Sequence, residues 1–233
     1  TDGSEGTGYA YDELNRLIGV ISSYFQLVTY DYDPVGNRIG MRYPDGGTVS
    51  YAYDDDNRLI TVTYWTGDST SYSYDANSNL ANMTYPNGRE TGYTYDDANR
   101  LINLVTMDGA GVVSGYAYTL DAVGNRLQVT ETGPGNSSSV TAYEYDLLNR
   151  LDTVTYPAGT TVTYTYDPMG NRLSMATTAG NTSSSISYTY DAGDRLLSAG
   201  GTTYTYDNNG NRIAMNGSDG TTSYGYDAAG RLA

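Results

Sequence analysis

Aspartate, arginine and tyrosine are the residue types that could carry chemistry in this sequence, because the other usual groups are missing. The chain of 233 residues has no His and no Cys, and all 12 of its basic residues are Arg. Without His, Cys or Lys there is no Ser–His–Asp or Cys–His nucleophile, no Schiff-base lysine and no zinc site of nitrogen and sulfur ligands. The composition therefore predicts a protein that is not an enzyme and that needs no cofactor.

The charge balance limits the partners that the chain can bind. Its 27 acidic residues give a formal net charge of −15 and a pI of about 4.1. Such a surface repels a phosphate backbone, so the sequence argues against nucleic acid as a partner. The longest apolar runs are far shorter than the roughly 18 residues of a membrane helix, so we predict no membrane span.

The acidic residues suggest two further chemistries, calcium binding and glycoside hydrolysis. Asp207, Asn209 and Asn211 are spaced like the start of a calcium loop. However, Arg212 stands where an EF-hand needs Gly, and Ser218 where it needs Glu. Adjacent carboxylates could serve as a glycosidase acid pair. We interpret all of these residues as turns, together with the calcium-like segments 33–37 and 167–171 and the carboxylate runs 54–56 and 96–97.

Tyrosine is the most frequent residue that could form a binding surface, with 27 copies. Because Tyr stacks on sugar rings and tolerates water at its hydroxyl, an exposed row could bind polysaccharide. We favour the interpretation that these rows form a half-buried packing face. The stretches 102–115, 128–142 and 174–187 are rich in Gly, Ser and Thr, and we interpret them as enlarged hairpin tips, with a binding role as the alternative.

A motif of Tyr-x-Tyr-Asp, followed shortly by Arg and then Leu or Ile, recurs eleven times. The commonest spacing between copies is 21 residues, and the sixth copy has Leu120 in place of the second Tyr. Arg follows Asp by four residues in alternate copies and by five in most of the copies between them, while the fourth copy lacks the Arg. We therefore divide the chain into a lead-in, residues 1–8, and an array of eleven repeats, residues 9–233.

The motif is also our candidate structural site. We expect Asp and Arg to form charge-assisted hydrogen bonds between neighbouring turns, with 10 of the 12 Arg residues in one structural role. The alternative is that the pairs form a row of sugar- or ion-binding sites. The residues chosen are Tyr11, Asp12, Arg16, Tyr32, Asp33, Arg38, Tyr53, Asp54, Arg58, Tyr95, Asp96, Arg100, Tyr145, Asp146, Arg150, Tyr166, Asp167 and Arg172.

Residues 43–64 show how one repeat is expected to fold. Tyr43-Pro44-Asp45-Gly46 has the residues of a turn. Val49, Tyr51 and Tyr53 then alternate with small polar residues, which predicts a strand. Residues 54–57 predict the next reversal and residues 60–64 the second strand. Elsewhere, Gly200-Gly201 predicts a primed two-residue hairpin turn. The fold class predicted from these patterns is all-β, with two antiparallel strands in each repeat of about 21 residues. Because strand twist makes so wide a sheet curl, we expect the sheet to form a spiral or a tube.

The combination of Tyr-Asp-x-x-Gly-Asn-Arg-Leu motifs with Tyr-Pro-Asn-Gly turns resembles the YD repeats, also called RHS repeats. These repeats occur in bacterial Rhs proteins, in the shell proteins of toxin complexes and in teneurins. The resemblance runs from about Tyr9 to Leu232. It implies a β-sheet spiral wound into a hollow shell, and a location outside a bacterial cell or on its surface.

The function predicted from the repeat and the resemblance is structural. We expect the wall of an extracellular tube or shell, or the subunit of a filament that assembles head to tail through sheet edges without capping residues. One alternative is a carbohydrate-binding adhesion module that uses the Tyr rows. Another is a fragment of an Rhs-type shell that encloses a toxin, in which case the partner is the rest of that shell.

Overall fold

Short strands make up most of the chain. The computed structural model describes residues 6–22 and 26–232, so residues 1–5 of the expected lead-in lie outside the described residues. The contacts divide the chain into two units, one formed by residues 1–117 and 131–138 and the other by residues 118–130 and 139–233. The strands of the first unit are β1 (Gly8–Tyr11), β2 (Leu17–Ile21), β3 (Leu27–Tyr32), β4 (Arg38–Arg42), β5 (Thr48–Tyr53), β6 (Leu59–Thr63), β7 (Ser69–Tyr74), β8 (Leu80–Thr84), β9 (Glu90–Tyr95), β10 (Leu101–Asp108) and most of β11 (Gly111–Leu120).

The second unit has the same design. Its strands are most of β12 (Arg126–Thr132), then β13 (Ser138–Tyr145), β14 (Leu151–Thr155), β15 (Thr161–Tyr166), β16 (Arg172–Ala179), β17 (Thr182–Tyr190), β18 (Leu196–Ala199), β19 (Thr202–Tyr206), β20 (Arg212–Gly217) and β21 (Gly220–Ser223). The helices of the described residues are two single 3-10 turns, Pro134–Asn136 and Pro157–Gly159. None of them is long and apolar enough to cross a membrane.

Each strand pairs antiparallel with the next one in the chain, from β1 to β11 in the first unit and from β13 to β21 in the second. The all-β fold built from hairpin repeats is therefore confirmed. Residues 43–64 fold as expected, because Tyr51 pairs with Val62 across β5 and β6. A bulge shifts the register between Ala52 and Tyr53, and the two strands twist more strongly there.

The apolar core is a thin row along the middle of the strands. Among the described residues, five hydrophobic side chains are buried: Val49, Val62, Val129, Val154 and Val162. Thr70, Thr91 and Thr141 occupy matching positions in other repeats and are also buried. In β5 the buried and half-buried residues alternate with exposed Thr48, Ser50 and Ala52. The packing face therefore carries Tyr and Val, and the opposite face carries small polar residues.

The three long stretches correct one expectation. They lengthen the arms of hairpins instead of enlarging their tips, since β10 has 8 residues and β11 has 10, against 5 or 6 in regular hairpins. Two of these arms are joined by two-residue loops, because Asp108 pairs with Gly111 and Ala179 with Thr182. Extra Ser and Thr residues extend the ladder, since each adds backbone hydrogen bonds. The tight turn at Gly200 is present as expected, with Ala199 paired to Thr202 and a positive φ of 58°.

Candidate functional site

The Asp of every motif begins a hairpin turn of one geometry. In the first copy the Asp12 N–H donates to the Arg16 carbonyl, and the Asn15 N–H donates to the Asp12 carbonyl, both at 3.0 Å. Asn15 has φ of 58°, so the loop is a type I turn followed by a left-handed residue. All eleven copies repeat these two bonds, at 2.9–3.0 Å and 2.9–3.2 Å respectively.

The Asp carboxylate caps its own turn. One oxygen accepts the backbone N–H four residues later in all eleven copies, at 2.8–3.0 Å. The other oxygen accepts from the side chain of that same residue, as in the Arg16 Nε to Asp12 Oδ2 bond of 2.7 Å. Our expectation that Asp and Arg would bond between neighbouring turns was therefore wrong for the Asp carboxylate, although Arg16 and Arg150 do donate to the backbone carbonyl of the next motif Asp. The bond closes a single turn, because both groups belong to one five-residue loop.

The residue four positions after Asp divides the turns into two alternating classes. We call a turn with Arg at this position an Arg turn, and a turn with Asn an Asn turn. The Arg turns use Arg16, Arg58, Arg100, Arg150, Arg195 and Arg231, with Nε to Oδ2 distances of 2.6–2.8 Å. The Asn turns use Asn37, Asn79, Asn125, Asn171 and Asn211, with Nδ2 to Oδ2 distances of 2.9–3.0 Å. The fourth copy, which lacks Arg, is thus an ordinary Asn turn.

Successive turns are joined by side chains that reach from one to the next. In four Asn turns the same amide that caps its own Asp also donates to the left-handed residue of the following Arg turn, as from Asn37 Nδ2 to Asn57 Oδ1 at 2.8 Å. The equivalent bonds are Asn79 to Asn99, Asn125 to Asn149 and Asn171 to Asp194. Other bonds run from an Arg turn to the Asn turn that follows it. Arg16 and Arg150 donate to the Asp carbonyl of that turn at 3.0 Å, and Arg58 donates to Ser78 Oγ at 2.9 Å. We call this row of linked turns the Asp edge of each unit.

The second Tyr of the motif satisfies a carbonyl that the ladder leaves open. The β2–β3 ladder ends where Gly19 pairs with Thr29, so the Leu17 carbonyl lies beyond it. The Tyr32 hydroxyl donates to that carbonyl at 2.8 Å. Nine Tyr residues make this bond at 2.7–3.1 Å: Tyr32, Tyr53, Tyr74, Tyr95, Tyr145, Tyr166, Tyr190, Tyr206 and Tyr226.

Arginine has two structural roles, where we expected one. In four Arg turns the guanidinium lies over the second Tyr of the next motif, as Arg16 does over Tyr32 at 4.9 Å. In the Asn turns the motif Arg comes one residue later, begins the next strand and lies near two first Tyr rings. Arg38, for example, lies 5.8 Å from Tyr30 and 4.7 Å from Tyr51. Arg126, Arg172 and Arg212 repeat this arrangement.

The hydrogen bonds lower the pKa of every capping Asp. In the Arg turns the first cause is the backbone N–H of Arg, and the guanidinium hydrogen bond lowers the pKa further. At Asp75, Asp167 and Asp207 the largest cause is the Asn side chain. At Asp33 and Asp121 desolvation is the largest single effect and would raise the pKa, but the bonds from Asn and the loop N–H groups outweigh it. The ionised form is therefore the one that the turn holds.

The other sequence candidates fall into the same framework. The Asp207 carboxylate accepts from the N–H groups of Asn209 and Asn211, as a turn cap does. In the run 54–56, Asp54 is a cap and Asp56 lies 3.4 Å from the Arg58 guanidinium. No group of three or more His, Cys, Asp or Glu residues comes together in the part of the chain that the structure describes. The motif Tyr residues from Tyr30 onward are half-buried, which agrees with the packing-face interpretation.

Comparison with known families agrees with this geometry. The family model described as Teneurin YD-shell matches residues 46–170 and again residues 121–233. The chain belongs to the teneurin YD-shell family. The resemblance to YD-repeat proteins that the motif indicated is therefore confirmed. No curated protein matches the chain by sequence.

Solved structures share the YD-shell fold at low sequence identity. The crystal structure of TcdB2-TccC3 has a TM-score of 0.67 and 16% identity, over 97% of this chain and 16% of that chain. The complex TcdB2-TccC3-Cdc42 gives the same TM-score and identity, over 97% of this chain and 15% of that one. The Photorhabdus luminescens Tc holotoxin pore, with a mutation in TccC3, has a TM-score of 0.61 and 18% identity, over 89% of this chain and 13% of that chain. This chain therefore spans about a sixth of the length of the chains that it matches.

Sequence reasoning found that the Arg position alternates between copies, but it missed that Asn caps the turns between the Arg turns and that side chains link successive turns. The signal was present, because the residue four positions after Asp alternates between Arg and Asn without exception across eleven copies. Counting only the Arg residues hid this pattern. The Tyr hydroxyl bonds had no sequence signal beyond the position of Tyr next to Asp, since they depend on where each ladder ends.

Proposed function

We propose that this chain is a segment of the wall of a YD-repeat shell, with a structural and non-enzymatic role outside a bacterial cell. The observation that carries the proposal is the row of links along the Asp edge. Each turn is closed by its own carboxylate, and most turns are bonded to the next one, so most neighbouring hairpins are held at their ends as well as along their strands. A wall needs this property, because it must keep its shape without a thick core.

The energetics of the array support a wall. An isolated hairpin is marginally stable in water, and the buried hydrophobic residues are few. In a repeat array the contacts between neighbours add along the chain. The Tyr hydroxyl bonds and the Arg–Tyr contacts recur at most steps of the array, so most added hairpins stabilise the one before them.

The Tyr surface gives less support to adhesion. Nine motif Tyr residues use their hydroxyls on backbone carbonyls, and several rings are covered on one side by guanidinium groups. A ring engaged in this way offers little free face for a sugar. We therefore interpret the Tyr rows as packing elements of the wall.

Electron microscopy of the native material from the producing cell tests the proposal. An antibody raised against this chain would identify the particles, and a denaturing gel would report the size of the polypeptide that carries it. We expect discrete hollow particles and a polypeptide larger than 25.1 kDa. Filaments with a regular rise, or a monodisperse 25.1 kDa monomer, would contradict a shell wall and favour other roles.

A further inference from the structure

The single Trp of the chain lies at the hairpin edge opposite the Asp edge, in the first unit. Trp65 follows β6 and is the second residue of the turn that begins at Tyr64. Its side chain is 60% exposed, although Trp is large and is usually well buried. Packing within the chain therefore uses less than half of the surface of Trp65, and the rest is open to another molecule.

Three neighbours hold the indole ring in place. The position of a Cβ atom on Gly47 lies 3.4 Å from Trp65 Cδ2 and 3.5 Å from Cγ, so the ring packs directly against the Gly47 backbone. The Tyr43 ring meets the indole edge-to-face, with 5.6 Å between the centroids, and the Tyr64 ring does so at 6.5 Å. The ring is thus fixed before any ligand arrives, which lowers the entropy cost of binding.

Trp65 is an exception to the way in which this protein uses its aromatic rings. Within residues 6–22 and 26–232, every guanidinium that lies over an aromatic ring lies over a Tyr. Trp attracts a cation more strongly than Tyr does. The ring with the strongest attraction for a cation therefore has none over it among the described residues.

The charges around the ring favour a cation from outside. The same point on Gly47 lies 3.2 Å from Asp45 Oδ1, so this carboxylate and the indole lie side by side. Asp68 closes the turn that carries Trp65. In the described part of the chain neither carboxylate forms a salt bridge. Arg42, at the end of β4 two strands away, adds one positive charge against these two, and the net charge of −15 attracts cations over a longer range.

A guanidinium is the cation that can use all of these groups at once. Its flat face stacks on an indole while its N–H groups donate to carboxylates beside the ring. A quaternary ammonium could stack on the ring in the same way, but it has no N–H to donate. We propose that Trp65, with Asp45 and Asp68, binds an Arg side chain that a partner protein presents in a basic segment. This inference does not rest on the proposed shell function.

Fluorescence of the full chain tests the site directly. Trp65 is the only Trp, so excitation at the red edge of the Tyr absorption reports on this site alone. The probe is the blocked peptide Gly-Arg-Gly-Arg-Gly, added up to about 20 mM at about 0.15 M salt, because a few exposed contacts give binding in the millimolar range. We expect a saturable change in the Trp65 emission. The same peptide with citrulline, which is neutral and similar in shape, in place of Arg should bind at least about tenfold more weakly.

Matched variants separate this site from general attraction between charges. Asp45→Asn removes the charge beside the ring but keeps an oxygen that accepts from the Gly47 N–H, and it should weaken binding about fivefold. Asp97→Asn removes the same charge from an exposed position at the Asp edge, and the affinity should stay within about twofold, since salt screens a distant charge. Trp65→Leu should abolish binding, as measured by the amide NMR shifts of residues 45, 47 and 68.

Four results would overturn the proposal. The first is that the Arg peptide gives no saturable change, and the second is that the citrulline peptide binds equally well. The third is an equal loss of affinity in Asp45→Asn and Asp97→Asn, which would mean that only the overall charge matters. The fourth is tighter binding of tetramethylammonium or of phosphatidylcholine vesicles than of the Arg peptide, since the site would then take a lipid headgroup.

Discussion

At the two ends of the hairpins many turns share one pair of backbone hydrogen bonds, but the turns are stabilised differently. At the Asp edge all eleven turns are capped by a carboxylate, and most of them are linked to the next turn. At the opposite edge four turns share the same pair of backbone bonds, beginning at Tyr43, Tyr64, Tyr85 and Tyr156, and the turn beginning at Gly133 makes the first of the two. Other hairpins there end in two-residue loops, as at 109–110 and 180–181. The constant edge sets the order and spacing of the hairpins, so the other edge is free to vary in length.

Acidification should produce the largest difference in stability between the turns of the two edges. A capping Asp has a folded pKa below its unfolded value of about 3.9, so its contribution to stability is complete above that value. The contribution is lost as the pH falls through the folded pKa. The same sign holds for all eleven caps. We expect the melting temperature to drop steeply below about pH 4. Amide protection should fall first at residues 12–16 and their equivalents, as measured by NMR hydrogen exchange. Equal loss at the turns beginning with Tyr43 and Tyr85 would contradict the difference between the edges.

Removing one link between turns should have a moderate effect. Asn57→Gly keeps the left-handed backbone at φ 61° but deletes the oxygen that accepts from Asn37. We expect a loss of about 0.5–1.5 kcal/mol in the free energy of unfolding, measured by urea denaturation. Asn15→Gly is the matched control, because Asn15 has the same backbone conformation and its side chain receives no such bond. If both variants lose the same stability, the link contributes nothing and the cost is that of glycine alone.

The smallest effect compares a left-handed residue at each edge. Ala158, at the opposite edge, has φ of 66°, and Ser78, in an Asn turn, has the same value. Glycine relieves about 1 kcal/mol of strain at such a position, offset in part by the greater freedom of the unfolded chain. We expect Ala158→Gly to raise the melting temperature slightly. Ser78→Gly should give no rise, because it also removes the acceptor for Arg58. Thermal melts of the two variants provide the measurement, and an equal rise in both would argue against the link.

The sequence predicted the strands of this molecule better than its side-chain contacts. The alternation around Tyr51 and the turn residues at Pro44 and Gly46 predicted the hairpin correctly, because period and turn chemistry are local properties. The partner of Asp54 was placed in the wrong turn, since Asp-to-Arg spacing alone does not say whether a side chain folds back or reaches across.

Because Arg turns and Asn turns alternate, the links between turns are kept only when hairpins are lost or gained in pairs. Loss of one 21-residue hairpin would bring two turns of the same class together. Two adjacent Asn turns would place the donating amide opposite a residue such as Gly36 or Gly170, which has no side-chain acceptor. Two adjacent Arg turns would leave the acceptor of a residue such as Asn57 without its amide donor. Loss or gain of two hairpins keeps every donor opposite its acceptor. Recombination between repeats should therefore be tolerated in steps of about 42 residues, and the number of hairpins between two fixed points of such an array should change by even numbers.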